Sequence, residues 1–143
     1  SNNKSDGGMI IINGGIITAE ASRGAGIGGG YADRKVDNNT TIIINDGIIA
    51  ARSSNGAGIG SNRKASGSNV TIHGGEITAV SINEGSGIGG SQDGYCGTVI
   101  INGGTVEASS GAGAVLAALV NKAILLLSLK MEMLKPVPAM VPA

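Results

Sequence analysis

A chain of 143 residues with 26 Gly, no Phe, no Trp and only two Tyr lies far from ordinary globular usage, where Gly is roughly 7% of residues, and it excludes an interior built on large aromatic side chains. Ten basic and ten acidic residues cancel, which excludes a field able to recruit nucleic acid or anionic lipid. The single Cys96 excludes an internal disulfide and fits a reducing compartment or a cysteine-poor secreted protein alike.

The chain opens at Ser1 and enters almost at once on a repeat, as an excised fragment does, so a missing signal peptide is silent about location. The unit is Ile12-Asn13-Gly14-Gly15-Ile16-Ile17-Thr18-Ala19, closed by Gly24-Ala25-Gly26-Ile27-Gly28. It returns as Ile44 to Ala51 with Gly56 to Gly60, and as Ile72 to Ala79 with Gly85 to Gly89. Ile101 to Ala108 with Gly111-Ala112-Gly113 begins a fourth copy. Asn45 follows Asn13 by 32 residues, His73 follows Asn45 by 28 and Asn102 follows His73 by 29, a solenoid spacing.

Within each copy the first strand is expected at Met9 to Ile12, Thr41 to Ile44, Asn69 to Ile72 and Thr98 to Ile101. The columns Ile10/Ile42/Val70/Val99 and Ile12/Ile44/Ile72/Ile101 admit no polar residue, whereas Ile11/Ile43/Thr71/Ile100 does. Side chains alternate between faces of a strand, so the first two columns point inward and the third outward. Asn-Gly-Gly, Asn-Asp-Gly or His-Gly-Gly then turns a corner at which Gly supplies a positive φ. A second strand covers Ile16 to Ala21, Ile48 to Ser53, Glu76 to Ser81 and Thr105 to Ser110. There Ile17/Ile49/Ile77/Val106 and Ala19/Ala51/Ala79/Ala108 face inward. The columns Ile16/Ile48/Glu76/Thr105, Thr18/Ala50/Thr78/Glu107 and Glu20/Arg52/Val80/Ser109 face out.

A short third strand runs through the Gly-Ala-Gly-Ile-Gly segments, with Ala25/Ala57/Ser86/Ala112 and Ile27/Ile59/Ile88 inward. Only the connection after it varies, at Gly29 to Thr40, Ser61 to Ser68 and Gly90 to Gly97. Three strands per copy of about 30 residues predict an all-β parallel β-helix of about three and a half coils, each rising roughly 4.8 Å along the axis. The repeat domain is residues 1–113, with coils at about 9–40, 41–68, 69–97 and 98–113, and residues 114–143 form a separate tail.

The seam at that tail is abrupt: every Leu and every Pro lies in 116–143, and every Gly lies before 114. Residues 114–129 carry helix formers throughout, but this apolar run, interrupted by Lys122, is short for a membrane span. Back-translation read from the third base of each codon gives a sharper account. Met131-Glu132 and Met140-Val141 each force Gly, and the intervening and following pairs permit Gly-Asp-Val-Glu-Ala-Ser-Ser-Gly-Asn-Gly-Ala-Gly, almost the text of Gly104 to Gly113 again. The tail is therefore expected to be the next repeat in a shifted frame, through a sequencing error, a pseudogene or programmed frameshifting, with no evolved function and no pairing to a repeat ladder. The encoding DNA decides this, and a shifted frame that lacks the repeat ends the idea.

Gly24-x-Gly26-x-x-Gly29 and Gly85-x-Gly87-x-x-Gly90 match a dinucleotide fingerprint, but that motif has meaning only between a strand and a helix, and no helical pattern follows. His73 stands in the corner column of Asn13, Asn45 and Asn102 and is expected as a ladder member, with no acid, base or nucleophile partner in view. Asp33 to Asp37 and Ser91-Gln92-Asp93 are expected as solvated loops, too poor in carboxylates for a calcium site. Cys96 beside Tyr95 lacks a nearby His. No catalytic, cofactor-binding or metal-ligating residue is assigned, and no cofactor is expected.

The copies Thr41-Ile-Ile-Ile-Asn-Asp-Gly and Asn55-Gly-Ala-Gly-Ile-Gly, with their relatives over residues 7–113, resemble the glycine-rich repeats of large bacterial surface proteins of the right-handed, pectin-lyase-like β-helix type. The resemblance implies an extracellular, cell-wall-associated or secreted protein and carries no catalytic motif. The leading expectation is a non-enzymatic, adhesin-like surface solenoid that presents other modules and contacts carbohydrate or neighbouring domains through its outward face. The alternative is the non-catalytic portion of a polysaccharide-degrading β-helix enzyme. A catalytic version needs acidic or basic residues of adjacent coils in one outward column, and Glu76 and Glu107 fall in different columns. Ice binding is disfavoured because Ala50 and Glu107 interrupt the Thr18/Thr78 column.

Overall fold

The computed structural model describes residues 8–31, 36–37, 40–62, 65–66, 68–90, 97–111 and 127–128. In chain order the strands are β1 (Met9–Ile12), β2 (Ile16–Ala21), β3 (Ile27–Gly28), β4 (Val36–Asp37), β5 (Thr41–Ile44), β6 (Ile48–Ser53) and β7 (Ile59–Gly60). They continue as β8 (Ala65–Ser66), β9 (Asn69–Ile72), β10 (Glu76–Ser81), β11 (Ile88–Gly89), β12 (Val99–Ile101), β13 (Thr105–Ser110) and β14 (Leu127–Ser128). Equivalent strands of successive coils stack as three sheets, β1-β5-β9-β12, β2-β6-β10-β13-β14 and β3-β7-β11, all parallel. The architecture is a parallel β-helix, all β among the described residues.

The register follows from the inward columns. Ile10 lies opposite Ile42, Ile42 opposite Val70 and Val70 opposite Val99, while Ile17, Ile49, Ile77 and Val106 form the corresponding row of the second sheet. Ile42, Ile44, Val70, Ile72, Val99 and Ile101 are fully buried, as are Ile59 and Ile88 of the third sheet. A slip of one residue would turn each row to solvent, so burial itself fixes the pairing. The first corner is turned at Gly15, Gly47, Gly75 and Gly104, with φ of 95°, 123°, 98° and 84°, values that favour glycine. The polar corner column bonds along the axis: Asn45 Nδ2 donates to Asn13 Oδ1 at 2.7 Å, and Asn102 Nδ2 lies 3.3 Å from His73 Nδ1.

One inward column is polar. Ser53, Ser81 and Ser110 continue the alternation two residues beyond the alanine column, in register with Ala21 of the first coil. Their hydroxyls donate to the carbonyls of Gly24, Gly56 and Gly85 in the preceding coil at 2.6, 2.9 and 2.7 Å. Each such carbonyl opens the bend into the third strand, where no backbone N–H among the described residues donates to it. The hydroxyl replaces that donor, at a net value of about 1 kcal/mol per bond.

Three expectations are corrected. The connections after the third strand are not loops throughout, because β4 and β8 pair in parallel, Val36 with Ala65 and Asp37 with Ser66, as a fourth short ladder. Gly111 does not open a third strand: its N–H donates to the Ser81 carbonyl as Ile82 N–H does to Ser53 and Ser54 N–H to Ala21. Gly111 thus stands at the second corner, in the row of Ser54 and Ile82, and Ala112-Gly113 lie outside the described residues. The tail does pair with a repeat ladder, since β14 adds to β13 with Leu127 opposite Val106 and Ser128 opposite Glu107. Without it β13 would be an edge strand with unpaired peptide groups, and an apolar segment is the cheapest cover for such an edge. Of the apolar run 114–129, rich in helix formers, only Leu127–Ser128 lies among the described residues, and it is strand. No helix among the described residues is long and apolar enough to cross a membrane.

Candidate functional site

The outward columns of the second sheet carry the chemistry this fold leaves free. Strand alternation that turns Ile17, Ala19 and Ala21 of β2 inward, where they are partly buried, turns Thr18 and Glu20 to solvent, and the same rule exposes Arg52 in β6. Glu20 and Arg52 lie directly opposite one another in register. At the end of these strands the chain bends through Ser22 and Ser54 towards the third sheet, and Ile82 of the next coil reaches the same corner. The result is an open groove of about 550 Å³ lined by Glu20, Ala21, Ser22, Arg52, Ser54 and Ile82. It offers a carboxylate, a guanidinium, two hydroxyls and one apolar wall, with Ile82 40% exposed. One residue along from Ser22, the Arg23 guanidinium sits 5.4 Å from the centre of the exposed Tyr31 ring, a cation–π pair.

Glu20 and Arg52 meet the one-column, adjacent-coil placement expected of a catalytic version, which Glu76 and Glu107 fail, so product formation and not charge placement separates the enzymatic from the non-enzymatic reading. The signal was present in the aligned column Glu20/Arg52/Val80/Ser109. Glu76 faces Thr105, and Glu107 faces Thr78, so the two carboxylates lie on the same face two positions apart. The groove also gathers Ser22 and Ser54, which no column count singled out because they fall in a corner.

His73 is an exposed corner residue bonded to Asn102, in the ladder position expected of it. The glycines of the fingerprint flank the two-residue strands of the third sheet and serve close packing: a methyl group on Gly26 would come within 2.8 Å of Arg52 N and the Gly58 carbonyl. Val36–Asp37 is strand, whereas Asp33 to Lys35, Ser91 to Asp93, Tyr95 and Cys96 lie outside the described residues. Among the described residues no three of His, Cys, Asp and Glu gather as a metal site. A second surface feature is apolar: Ile11, Ile16 and Ile48 are 52%, 82% and 52% exposed around the Asn13 corner, with Ile43 half-buried. These are the outward isoleucines expected from the alternation, and the strip they form is not covered by β14, which pairs at the far end of the second sheet.

Compared with known families, a profile described as a beta helix repeat matches residues 10–31, 42–63, 70–94 and 99–114, together more than half of the chain. The four segments begin inside β1, β5 and at Val70 and Val99 of β9 and β12, one per coil. No curated protein and no solved structure matches the chain.

Proposed function

We propose, starting from the fact that this chain belongs to the beta helix repeat family, that it is a non-enzymatic repeat region of an extracellular or cell-surface protein which contacts carbohydrate through its outward face. The observation that carries the reading is the groove of Glu20, Arg52, Ser22, Ser54 and Ile82. A sugar ring presents hydroxyls around an apolar face. Hydroxyls, a carboxylate and a guanidinium supply donors and acceptors for the first, and Ile82 supplies surface for the second. The stack beneath is rigid because each coil is hydrogen-bonded to its neighbours, so the groove is held without needing a ligand to order it.

Incubation of the full chain with a panel of neutral and acidic polysaccharides tests this in one experiment. Retention without new reducing ends or unsaturated products is the expected result, and Arg52→Ala should reduce retention by about tenfold, the value of one charge-assisted hydrogen bond. Release of cleaved products by the unmodified chain would overturn the non-enzymatic reading, and retention unchanged by Arg52→Ala would remove the groove from it.

A further inference from the structure

We propose that the Asp46–Gly47 corner of the second coil is a self-modification site, where the main chain passes through a cyclic imide to isoaspartate with water as co-reactant. The other three coils write this corner Asn-Gly-Gly or His-Gly-Gly, so Asp46 brings the single carboxyl group of the column Gly14/Asp46/Gly74/Gly103. Its Oδ1 accepts the N–H of the next residue, Gly47, at 2.8 Å. The side chain is thus folded back over its own peptide bond, and Cγ, one bond from Oδ1, is held beside the nitrogen that attacks it. Proximity set in advance removes much of the entropic part of such a barrier. Gly47 has no Cβ to screen that nitrogen, Asp46 is exposed to water, and no neighbouring coil among the described residues takes the Gly47 N–H.

The reaction balances without an oxidant or reductant. The Gly47 nitrogen bonds to Asp46 Cγ, its proton joins the departing carboxyl hydroxyl, and one water leaves as the five-membered imide closes. Water then adds to either imide carbonyl. Cleavage at Cγ restores Asp46, whereas cleavage at the α-carbonyl leaves the main chain running through Cβ and Cγ, one carbon longer. That carbon enters a corner pinned on both sides, because Asn45 N–H donates to Ile12, Ile48 N–H to Gly15 and Glu76 N–H to Gly47. Isoaspartate there strains the bonds around it.

Asn55–Gly56 in the same coil shows that the dipeptide alone does not decide. By sequence it is the more reactive pair, since an amide accepts attack more readily than an ionised carboxylate and glycine follows both. In the fold its amide is tied at both ends, Nδ2 donating to the Ser22 carbonyl and Oδ1 accepting from Asn83 Nδ2. The attacking nitrogen is also occupied, because Gly56 N–H donates to Ser53 Oγ at 2.9 Å. The Asn13 and Asn102 amides are bonded along the axis, to Asn45 and His73, and neither is folded onto its own Gly14 or Gly103 peptide as Asp46 is onto Gly47. Folding therefore inverts the order that the dipeptides alone predict.

The test compares the full chain folded in buffer with the same chain unfolded in urea, both kept warm at neutral pH until Asn55 of the unfolded sample has converted. Trypsin separates the two sites, Asp46 in the peptide Val36 to Arg52 and Asn55 in Ser53 to Arg63. An isoaspartyl methyltransferase with labelled S-adenosylmethionine then measures isoaspartate in each. In the folded chain the signal of Val36 to Arg52 should exceed that of Ser53 to Arg63 several-fold, and in the unfolded chain the order should reverse. The Asp46 product keeps the mass of its peptide, whereas deamidation of an asparagine raises it. Asp46→Gly, the residue of the other three coils, should abolish the signal, and Asp46→Asn should give it faster and with the mass gain. A folded chain with no isoaspartate in Val36 to Arg52, or with as much in Ser53 to Arg63, would overturn the proposal, as would a signal that survives Asp46→Gly.

Discussion

Replacing Ile72 with Asp should unfold the repeat region. Ile72 is fully buried, with Ile44 opposite it in one neighbouring coil and Ile101 in the other. A carboxylate there has no partner and no water, and burial of this kind raises the pKa of an acid by roughly 3 to 5 units, equivalent to about 4 to 7 kcal/mol against the ionised form. That approaches the whole stability of an ordinary domain, about 5 to 15 kcal/mol. The pH dependence has a definite sign. A folded-state pKa raised above the unfolded value, about 3.9, means the penalty is absent below that pH and grows as pH rises towards the raised value. Thermal melts should show the Ile72→Asp variant unfolded at neutral pH and closest to the parent in acid, while Thr71→Asp, on the outward side of the same strand, shifts the midpoint little. Equal melts for the two variants would contradict the alternation on which the fold rests.

The second large effect is expected at Gly60. Its φ is 136°, and a methyl group there would run into the Gly89 carbonyl of the next coil. Gly60→Ala therefore combines a backbone conformation that side chains rarely adopt with a clash against main chain that cannot rotate away. Strain of about 1 to 3 kcal/mol adds to overpacking of about 1 to 3 kcal/mol. Gly14→Ala is the matched control, with no atom within 4 Å of the added methyl. Chemical denaturation should separate the two variants clearly, and a Gly60→Ala midpoint equal to that of Gly14→Ala would show that the third sheet is not stacked as closely as described.

Most of the fold was legible because the solenoid writes each structural position four times. Ile42, Val70 and Val99 share a column whose side chains meet along the axis, so a rule that is weak in one strand becomes strong when aligned copies agree. The corner ladder of Asn13, Asn45, His73 and Asn102 was legible for the same reason. What was missed depends on features that alternation does not encode. Ser53 and Ser81 are as buried as the isoleucines, yet a hydroxyl reads as surface until the Gly24 and Gly56 carbonyls it serves are placed beside it. The pairing of β4 with β8 joins connections of unequal length, so no column aligned them. Gly111 was misplaced because its Gly-Ala-Gly text imitates Gly24 to Gly26, although only the Ser110 row fixes where the corner falls. The β14 pairing was invisible in a segment whose composition shares nothing with the repeat. It is compatible with a shifted reading frame, because an unpaired edge takes an apolar strand whatever its origin.

The groove was half legible. Glu20 and Arg52 stood in one outward column, but Ser22, Ser54 and Ile82 come from a corner where coil 3 carries one more residue than coils 1 and 2, between Ser81 and Gly85.

The central claim, that residues about 30 apart lie side by side in parallel register, is tested most directly by cysteine pairs on the outward face of the second sheet in a Cys96→Ser background. Ala50 and Thr78 are register partners, and neighbouring strands are about 4.8 Å apart, within disulfide reach. Ala50→Cys with Thr78→Cys should oxidise within the monomer, whereas Ala50→Cys with Val80→Cys, displaced by two residues and about 8 Å apart, should remain reduced. Efficient closure of the displaced pair, or failure of the register pair to close, would contradict the parallel β-helix.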